Sequence, residues 1–366
     1  MKKLLNFTIL PLSALLMQGQ NVDSARDSSP GEVYAMTNTA PLNQLVTFRR
    51  AANGALTWDS SLPTGGAGTG SALGSSNAVQ ISKGGRWLLT VNAGDNSISV
   101  FEVGGGRPEL VSVTPSGGAQ PESIAIYNGL VYVLNAGSPA NVTGFRLLDG
   151  RLAAIPNSTR PLSTASPVAP QIGFSNDGGL LLTTEKATNL IDTYVVQTDG
   201  TLVGPNPQPS TGQTPFGFLF DGNGHLLITD AFGGTAGQSA VSSYNVSSNG
   251  TLQLITGPVN NGQAAACWIA VTKDNHYVYV TNTASNNLSA YLLDHDGSLH
   301  VIGNGVAAAA GAGPTDMDMT RDSRFLYILN GQAGTVQGYR VHQDGSLSDI
   351  GTFGTLDLSA TGIAAR

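Results

Sequence analysis

Two acidic residues interrupt a pattern of asparagines. Five short β-rich runs end in Asn, as in "WLLTVN" and "YVYVTN", whereas the related runs "LLLTTE" and "HLLITD" end in Glu185 and Asp230. A carboxylate can act as a general base or as an oxygen ligand of Ca²⁺ or Mg²⁺, so both acids are candidate catalytic and metal-binding residues. Lys186 follows Glu185 and could offset negative charge on a ligand, with a solvated Glu–Lys pair as the alternative.

A second set of polar and aromatic residues stands where short apolar runs begin. It comprises the acids Glu122 and Asp316, the amides Asn77 and Gln171, and the rings of Phe216 and Trp268. The acids are further candidate bases, and the amides and rings are candidate ligand contacts. Asn135, which ends "VYVLN", could join a ring of oxygen ligands around a cation. An amide that most units carry can equally bond to the loop beside it, and both alternatives stay open.

Both sets belong to a unit that recurs roughly every 48 residues. Its marker is an Asn-Gly or Asp-Gly turn, found at Asn53, Asp149, Asp199, Asn249, Asp296 and Asp344, with one irregular copy at "GGGRPEL". Such turns join antiparallel strands, because both of their residues tolerate positive φ. Two apolar runs and a further strand precede each turn, so each unit is predicted to hold four antiparallel strands, A to D.

Seven such units fill residues 33–366 and predict an all-β, seven-bladed β-propeller. The first unit opens on a strand B, "VYAMTN", and the final "TGIAAR" has the pattern of a strand A. We therefore predict that the C-terminal strand joins the first blade and closes the ring. The starts of the A strands and the ends of the B strands then surround one mouth of a central channel, where we expect the candidate residues to meet.

Residues 1–25 are predicted to be a signal peptide, because two lysines precede an apolar run, 4–17, that is too short to span a membrane. This predicts a secreted or extracytoplasmic protein; a disordered tail on a cytosolic protein is the alternative. Residues 26–32 are predicted to be a linker. The net charge of −7, without a basic run, argues against nucleic acid and anionic membranes as partners, and we expect a monomer.

The repeats, with "YVYVTN", "RDSRFLYILN" and the "DGSL" turns, resemble those of the seven-bladed lactonase family, which includes 6-phosphogluconolactonase and the fungal carboxy-cis,cis-muconate cyclases. The resemblance covers residues 33–366. It implies a channel-mouth site that acts on lactones or muconates through histidines, an Arg-His pair and a Glu.

Several of those site residues are replaced here. "PVAPQ" keeps the family's Pro and Gln at Pro167 and Gln171 but has Val168 and Pro170 in place of histidines, and Phe216 stands where the family has Arg. Our leading hypothesis is hydrolysis of a neutral lactone, or cyclisation of a muconate-like molecule, with a carboxylate base and a divalent cation as a possible cofactor. The alternative is a non-catalytic propeller that binds a carbohydrate or protein through channel-mouth aromatic rings.

Overall fold

The computed structural model describes residues 29–366. The predicted signal peptide, residues 1–25, and residues 26–28 of the predicted linker lie outside this range. Within it, no helix is long and apolar enough to cross a membrane. The helical structure described is a single 3₁₀ turn, Phe232–Gly234.

Residues 29–366 form thirty β-strands, which group into seven sheets. Blades 1 to 3 contain β1 (Gly31–Met36), β2 (Gln44–Arg50), β3 (Leu56–Pro63), β4 (Val79–Ile81), β5 (Trp87–Asn92), β6 (Ser97–Glu102), β7 (Glu109–Pro115), β8 (Pro121–Tyr127), β9 (Leu130–Asn135), β10 (Asn141–Leu148), β11 (Arg151–Ala154) and β12 (Arg160–Pro161). Blades 4 and 5 hold β13 (Gln171–Phe174), β14 (Leu180–Glu185), β15 (Leu190–Val196), β16 (Leu202–Pro209), β17 (Pro215–Phe220), β18 (Leu226–Asp230), β19 (Ala240–Val246) and β20 (Leu252–Asn260). The last strands are β21 (Ala266–Val271), β22 (Tyr277–Asn282), β23 (Asn287–Leu293), β24 (Leu299–Val301), β25 (Ala308–Ala309), β26 (Pro314–Met319), β27 (Phe325–Asn330), β28 (Thr335–Val341), β29 (Leu347–Phe353) and β30 (Thr361–Ala365).

The strand order confirms the predicted seven-bladed β-propeller and its closure. Blade 1 has the order β3-β2-β1-β30, so the last strand supplies the missing strand A and pairs antiparallel with β1. At this seam Arg50 donates from Nε and Nη2 to the Arg366 carbonyl oxygen (3.2 and 3.1 Å). Arg366 Nε also lies 2.9 Å from Glu32 Oε2. The other blades follow the order A-B-C-D, with β12 and β25 as extra short strands paired to strand C.

The hydrophobic core lies between neighbouring sheets. Every residue of β27 is buried, whereas the outermost strand of the same blade, β29, is partly exposed. Strands B are continuous apolar runs because both of their faces pack against other sheets. Between blades 1 and 7, for example, Val33 and Phe48 share a core cluster with Phe325 and Tyr327.

The repeated Asx-Gly turns hold each blade against the previous one. Gly54 has φ +91°, and a Cβ there would lie 2.4 Å from the ring of Phe325, the first residue of strand B in blade 7. Gly345 meets Tyr277 of blade 6 in the same way. The repeat therefore needs glycine for two reasons, the left-handed backbone and the close approach of a neighbouring ring.

Buried tyrosines of the B strands bond to the same turns. Tyr327 donates to the Gly54 carbonyl oxygen (2.7 Å), and Tyr279 donates to that of Gly345 (2.8 Å). The equivalent hydroxyl of Tyr34 in blade 1 has no hydrogen-bond partner among residues 29–366. Blade 2, its neighbour, is the blade whose turn departs from the Asx-Gly pattern.

Candidate active site

The polar residues that end the B strands bond to strand C of their own blades and to the neighbouring connections. Asn92 Nδ2 donates to the hydroxyls of Ser97 (3.0 Å) and Ser99 (2.7 Å). Asn135 Nδ2 likewise donates to Asn141 Oδ1 (3.0 Å). These amides join strand B to strand C, which is the role expected of a residue that most units repeat.

Glu185 occupies the same position in blade 4 and is fully buried. Its carboxylate accepts hydrogen bonds from the backbone N–H of Ser163 (3.0 Å), the Ser163 hydroxyl and the Thr188 hydroxyl (2.5 Å). Asp192 of β15 accepts from the same Ser163 N–H (3.0 Å). Burial, together with the hydrogen bond and the charge of Glu185, raises the pKa of Asp192 to about 8, so this carboxyl pair holds a proton near neutral pH.

Asp230 replaces the asparagine of blade 5. Ser242 Oγ donates to its Oδ2 (2.6 Å) and Ser210 Oγ to its Oδ1 (3.4 Å). Burial raises the pKa of Asp230 to about 7, and the two serine bonds oppose the shift. The bonds of Glu185, Asp230 and Asn135 thus tie each side chain to strand C of its blade or to the connection that leads into the blade. No group of three or more His, Cys, Asp or Glu residues within 29–366 is arranged to hold a metal ion.

A segment of the chain crosses the channel where the A strands begin. This crossing segment, Gly74–Asn77, precedes β4 of blade 2 and bonds to three other blades. Lys186 Nζ of blade 4 donates to the Gly74 carbonyl oxygen (3.2 Å), and Trp268 Nε1 of blade 6 donates to that of Ser75 (3.1 Å). Ser75 Oγ donates to the carbonyl oxygen of Glu122 in blade 3 (2.9 Å). The crossing segment therefore covers the channel mouth at which the sequence predicted a site.

The sequence signal for this segment is length rather than composition. Fifteen residues, 64–78, connect β3 to β4, whereas 116–120, 210–214 and 261–265 connect other blades with five residues each. The Gly-rich composition of this connection indicates only a linker between blades. Only the extra length allows the chain to reach the axis of the ring and return.

Four of the predicted residues meet beneath the crossing segment, and we call them the channel-top cluster: Glu122, Lys186, Phe216 and Trp268. Lys186 Nζ lies 4.7 Å from the centroid of the Phe216 ring, and that ring packs edge-on against Trp268 with centroids 4.8 Å apart. Glu122 is 7% exposed and accepts a hydrogen bond from Gln120 Nε2 (2.6 Å), a contact that the sequence did not predict.

Burial and mutual charge control the protonation of the channel-top cluster. Burial raises the pKa of Glu122 to about 7, while the Gln120 bond and the positive charge of Lys186 lower it. Burial lowers the pKa of Lys186, and the charge of Glu122 opposes that shift. The cluster therefore combines a carboxyl that exchanges its proton near neutral pH with an adjacent ammonium group. That combination suits general base catalysis with stabilisation of a developing oxyanion.

Three further predicted residues line a cavity that also borders the crossing segment and Trp268. The cavity has a volume of about 590 Å³ and is walled by strands A, with Asn77, Gln171 and Asp316 among its residues. Gln171 bonds to both backbone groups of Phe218, donating from Nε2 to the oxygen (2.6 Å) and accepting from the N–H at Oε1 (2.9 Å). Asn77 Nδ2 donates to the Ile172 carbonyl oxygen (3.3 Å). Exposed residues of the A–B turns, such as Lys273 and Asn176, form the cavity rim.

Comparison with known proteins agrees with this architecture. The family described as "Lactonase, 7-bladed beta-propeller" matches residues 42–157 and 238–357. The unmatched stretch between these segments contains Lys186, Phe216 and Asp230. No curated protein matches the sequence closely enough to be counted as a relative.

Solved structures share the fold at low sequence identity. A putative 6-phosphogluconolactonase from Bacteroides fragilis has a TM-score of 0.71 and 19% identity over 92% of this chain and 98% of its own. A periplasmic gluconolactonase from Pseudomonas aeruginosa has a TM-score of 0.71 and 16% identity over 92% and 99%. A Lactobacillus plantarum protein has a TM-score of 0.73 and 18% identity over 92% and 100%. At these identities the likeness shows the fold alone.

Proposed function

The chain belongs to the seven-bladed β-propeller lactonase family, and on that premise we propose that it hydrolyses a neutral lactone at the channel-top cluster. The observation that carries the proposal is that Glu122, whose pKa burial raises to about 7, lies within the influence of the Lys186 charge in the channel-top cluster. A general base works best when its pKa lies near the working pH. Lys186 is the basic residue whose charge acts on Glu122.

In the proposed reaction, the Glu122 carboxylate removes a proton from water, and the oxygen of that water attacks the lactone carbonyl carbon. The carbonyl oxygen becomes an oxyanion, which the Lys186 ammonium stabilises. The tetrahedral intermediate collapses with cleavage of the ring C–O bond, and Glu122 returns its proton to the alkoxide that leaves. The product is the open hydroxy acid.

We propose that the substrate carbonyl lies where the Gly74 carbonyl now lies. Lys186 Nζ donates to the Gly74 carbonyl oxygen, a peptide oxygen with the same hydrogen-bonding character as a lactone oxygen. A substrate would replace this oxygen after displacing the segment. Gly65 and Gly70, before the segment, and Gly74, its first residue, all have positive φ, a backbone conformation that glycine adopts without steric cost.

Charge supports a neutral substrate. A phosphorylated or multiply carboxylated lactone needs several cationic partners, usually including Arg. In the channel-top cluster the Lys186 charge is already offset by Glu122 when that carboxyl is ionised. A simple γ- or δ-lactone brings no net charge, and its ring can lie against Phe216 and Trp268.

The test is turnover of a panel of neutral and phosphorylated lactones, followed by acid release in a pH-stat, with and without chelator. For an active substrate, E122Q should lower kcat about 100-fold or more with little change in KM. E109Q is the matched control, because Glu109 is an exposed acid on β7. The kcat/KM of the wild type should rise with pH up to about 7 and then level off, since the ionised carboxylate is the active form. Full activity in E122Q would refute the assignment of the base.

One observation favours a second function, ligand binding without catalysis. The crossing segment already bonds to Lys186 and Trp268, which are groups that a substrate would need. If every lactone and muconate is inert, a carbohydrate array probed with wild type and W268A tests this alternative.

We also propose that the protein works outside the cytoplasm, because residues 1–25 have the composition of a signal peptide. N-terminal sequencing of the protein recovered from its native host tests this. A mature form that retains Lys2 and Lys3 would contradict it.

A further inference from the structure

The junction of blades 1 and 2 lacks a contact that the other junctions have. At those junctions a turn glycine lies against the start of strand B in the preceding blade, or against the residue before it, as Gly150 does at Trp87. The irregular turn of blade 2 instead brings Gly104 to the side chain of Arg366. A Cβ at either residue of 105–106 would meet no atom within 4 Å. This turn therefore leaves open space beside blade 1.

A cavity of about 640 Å³ borders the same turn, and we call it the edge cavity. Its wall combines β3, the outermost strand of blade 1, with residues of β1 and β2 and with Gly106 and Arg107 of blade 2. The volume lies within the range of small-molecule sites. The lining has one aromatic ring, and its other side chains are polar or charged. A lining of this kind favours a ligand that has both hydrogen-bonding groups and an apolar face.

The aromatic ring belongs to Trp58, the one exposed Trp, Tyr or Phe side chain among residues 29–366, with 58% of its surface accessible. Phe48 pairs with Trp58 and Thr47 with Ser60, so Asp59 is the extra residue of a β-bulge. A bulge changes the direction of side chains along a strand, and here the consecutive residues Trp58 and Asp59 both line the edge cavity. The ring thus lies beside a carboxylate, and a ligand can bury its apolar area.

The charged groups beside the ring are accessible and only partly used in hydrogen bonds. Asp59 Oδ1 accepts from Arg49 Nε (2.6 Å), whereas Asp59 Oδ2 accepts one long bond from Ser60 Oγ (3.3 Å). The side chains of Arg49 and Asp59 are 77% and 18% exposed. A guanidinium has five N–H donors and a carboxylate oxygen accepts more than one bond, so both groups can also bond to a ligand. Glu32, on the β1 side of the cavity, is already paired with Arg366 (2.9 Å).

The paired charges indicate which ligand fits. A hydroxyl group both donates and accepts hydrogen bonds, so neighbouring hydroxyls of a sugar ring can bond to Asp59 and to Arg49 together. A simple carboxylate would meet the charge of Asp59, and a simple ammonium that of Arg49.

We propose that the edge cavity binds a neutral saccharide, with the C–H face of one sugar ring on Trp58 and its hydroxyls on Asp59 and Arg49. The exposed Arg107 adds donors at the wall that blade 2 forms. The site lies on the outer strand of blade 1 and does not rest on lactone hydrolysis.

The experiment is titration calorimetry of the full protein with maltotriose, cellotriose, xylotriose and mannotriose, and with trigalacturonic acid as the charged comparison. We expect at least one neutral trisaccharide to bind. W58A should weaken that binding at least about tenfold, because the ring buries its apolar area only against the ligand. D59N, which keeps the ring, should also weaken it. L254A is the matched control, because Leu254 is an exposed apolar residue on the outermost strand of blade 5.

Acrylamide quenching of the wild-type fluorescence provides a test that needs no variant. Trp58 is the exposed one of the three tryptophans, so a saturating trisaccharide should lower the quenching constant. The proposal would be overturned if no neutral trisaccharide bound, if W58A bound as tightly as wild type, or if trigalacturonic acid bound more tightly. Loss of binding in W268A but not in W58A would place the sugar at the channel mouth and also overturn it. Each result is independent of whether E122Q affects lactone turnover.

Discussion

Replacing Asp230 by asparagine should stabilise the protein at pH 8 and leave its stability near pH 4 almost unchanged. Asp230 is fully buried at the end of β18, and its pKa is raised to about 7. Five other blades have asparagine at this position, where Asn92 and Asn282 donate to serines of strand C (2.7–3.0 Å). In D230N, the amide can make the equivalent bond to Ser242 without carrying a charge.

The magnitude follows from proton linkage. An Asp carboxyl in the unfolded chain has a pKa of about 3.9, and in the folded protein the value is about 7. Between these pH values the folded protein holds a proton that the unfolded chain has released, so the free energy of unfolding falls as the pH rises. About three pH units at about 1.4 kcal/mol each give a destabilisation of about 4 kcal/mol once the pH exceeds 7. D230N removes this contribution.

Urea unfolding followed by tryptophan fluorescence, at several pH values from 4 to 8, measures the difference between wild type and D230N. Other buried carboxyls affect both proteins alike and cancel in the difference. D296N is the control, because Asp296 is exposed in a turn and its bonds to Ser298 lower its pKa, so its removal brings no gain at high pH. A D230N gain that does not change with pH would refute the linkage, and a loss at pH 8 would show that the blade needs the charge.

Two further changes test how the ring is held together. Y327F removes the donor to the Gly54 carbonyl oxygen and should lower the free energy of unfolding by about 1 kcal/mol. Y34F should leave the free energy of unfolding almost unchanged, because that hydroxyl has no described partner. Equal losses for the two variants in urea unfolding would contradict this interpretation. R50M removes both bonds to the Arg366 carbonyl oxygen and should lower the free energy of unfolding by about 2 kcal/mol. Amide hydrogen exchange should become faster in β1 and β30 alone. Equally faster exchange in all blades would contradict a local role for these bonds.

The features that were predictable from sequence are those that depend on residues close together in the chain. Each Asx-Gly turn and its flanking apolar runs specify a hairpin, and repetition at one spacing limits how the hairpins can pack. Closure by β30 was predictable for the same reason, since the last run completes the pattern that β1 lacks. These inferences need no knowledge of how distant side chains meet.

The candidate site was harder to predict because its environment is built from distant segments. Glu122, Lys186 and Trp268 are all candidate site residues from the sequence. The crossing segment that covers them depends on the path of a long connection, which the sequence does not specify. Glu185 and Asp230 departed from the asparagine pattern, which drew attention to them. Their partners lie on strand C and on the connection that precedes the blade, and those pairings become visible only when both are placed in space.

The pairing of β30 with β1 has a consequence for the order in which the ring can form. Val33 pairs with Ala365, so the inner edge of β1 has no partner until all the intervening blades have been synthesised. The first blade to leave the ribosome is thus the last to be completed. Until then its unpaired edge is open to strands of other nascent chains, so the interval before β30 emerges is the stage of biogenesis at which intermolecular pairing competes with the native join.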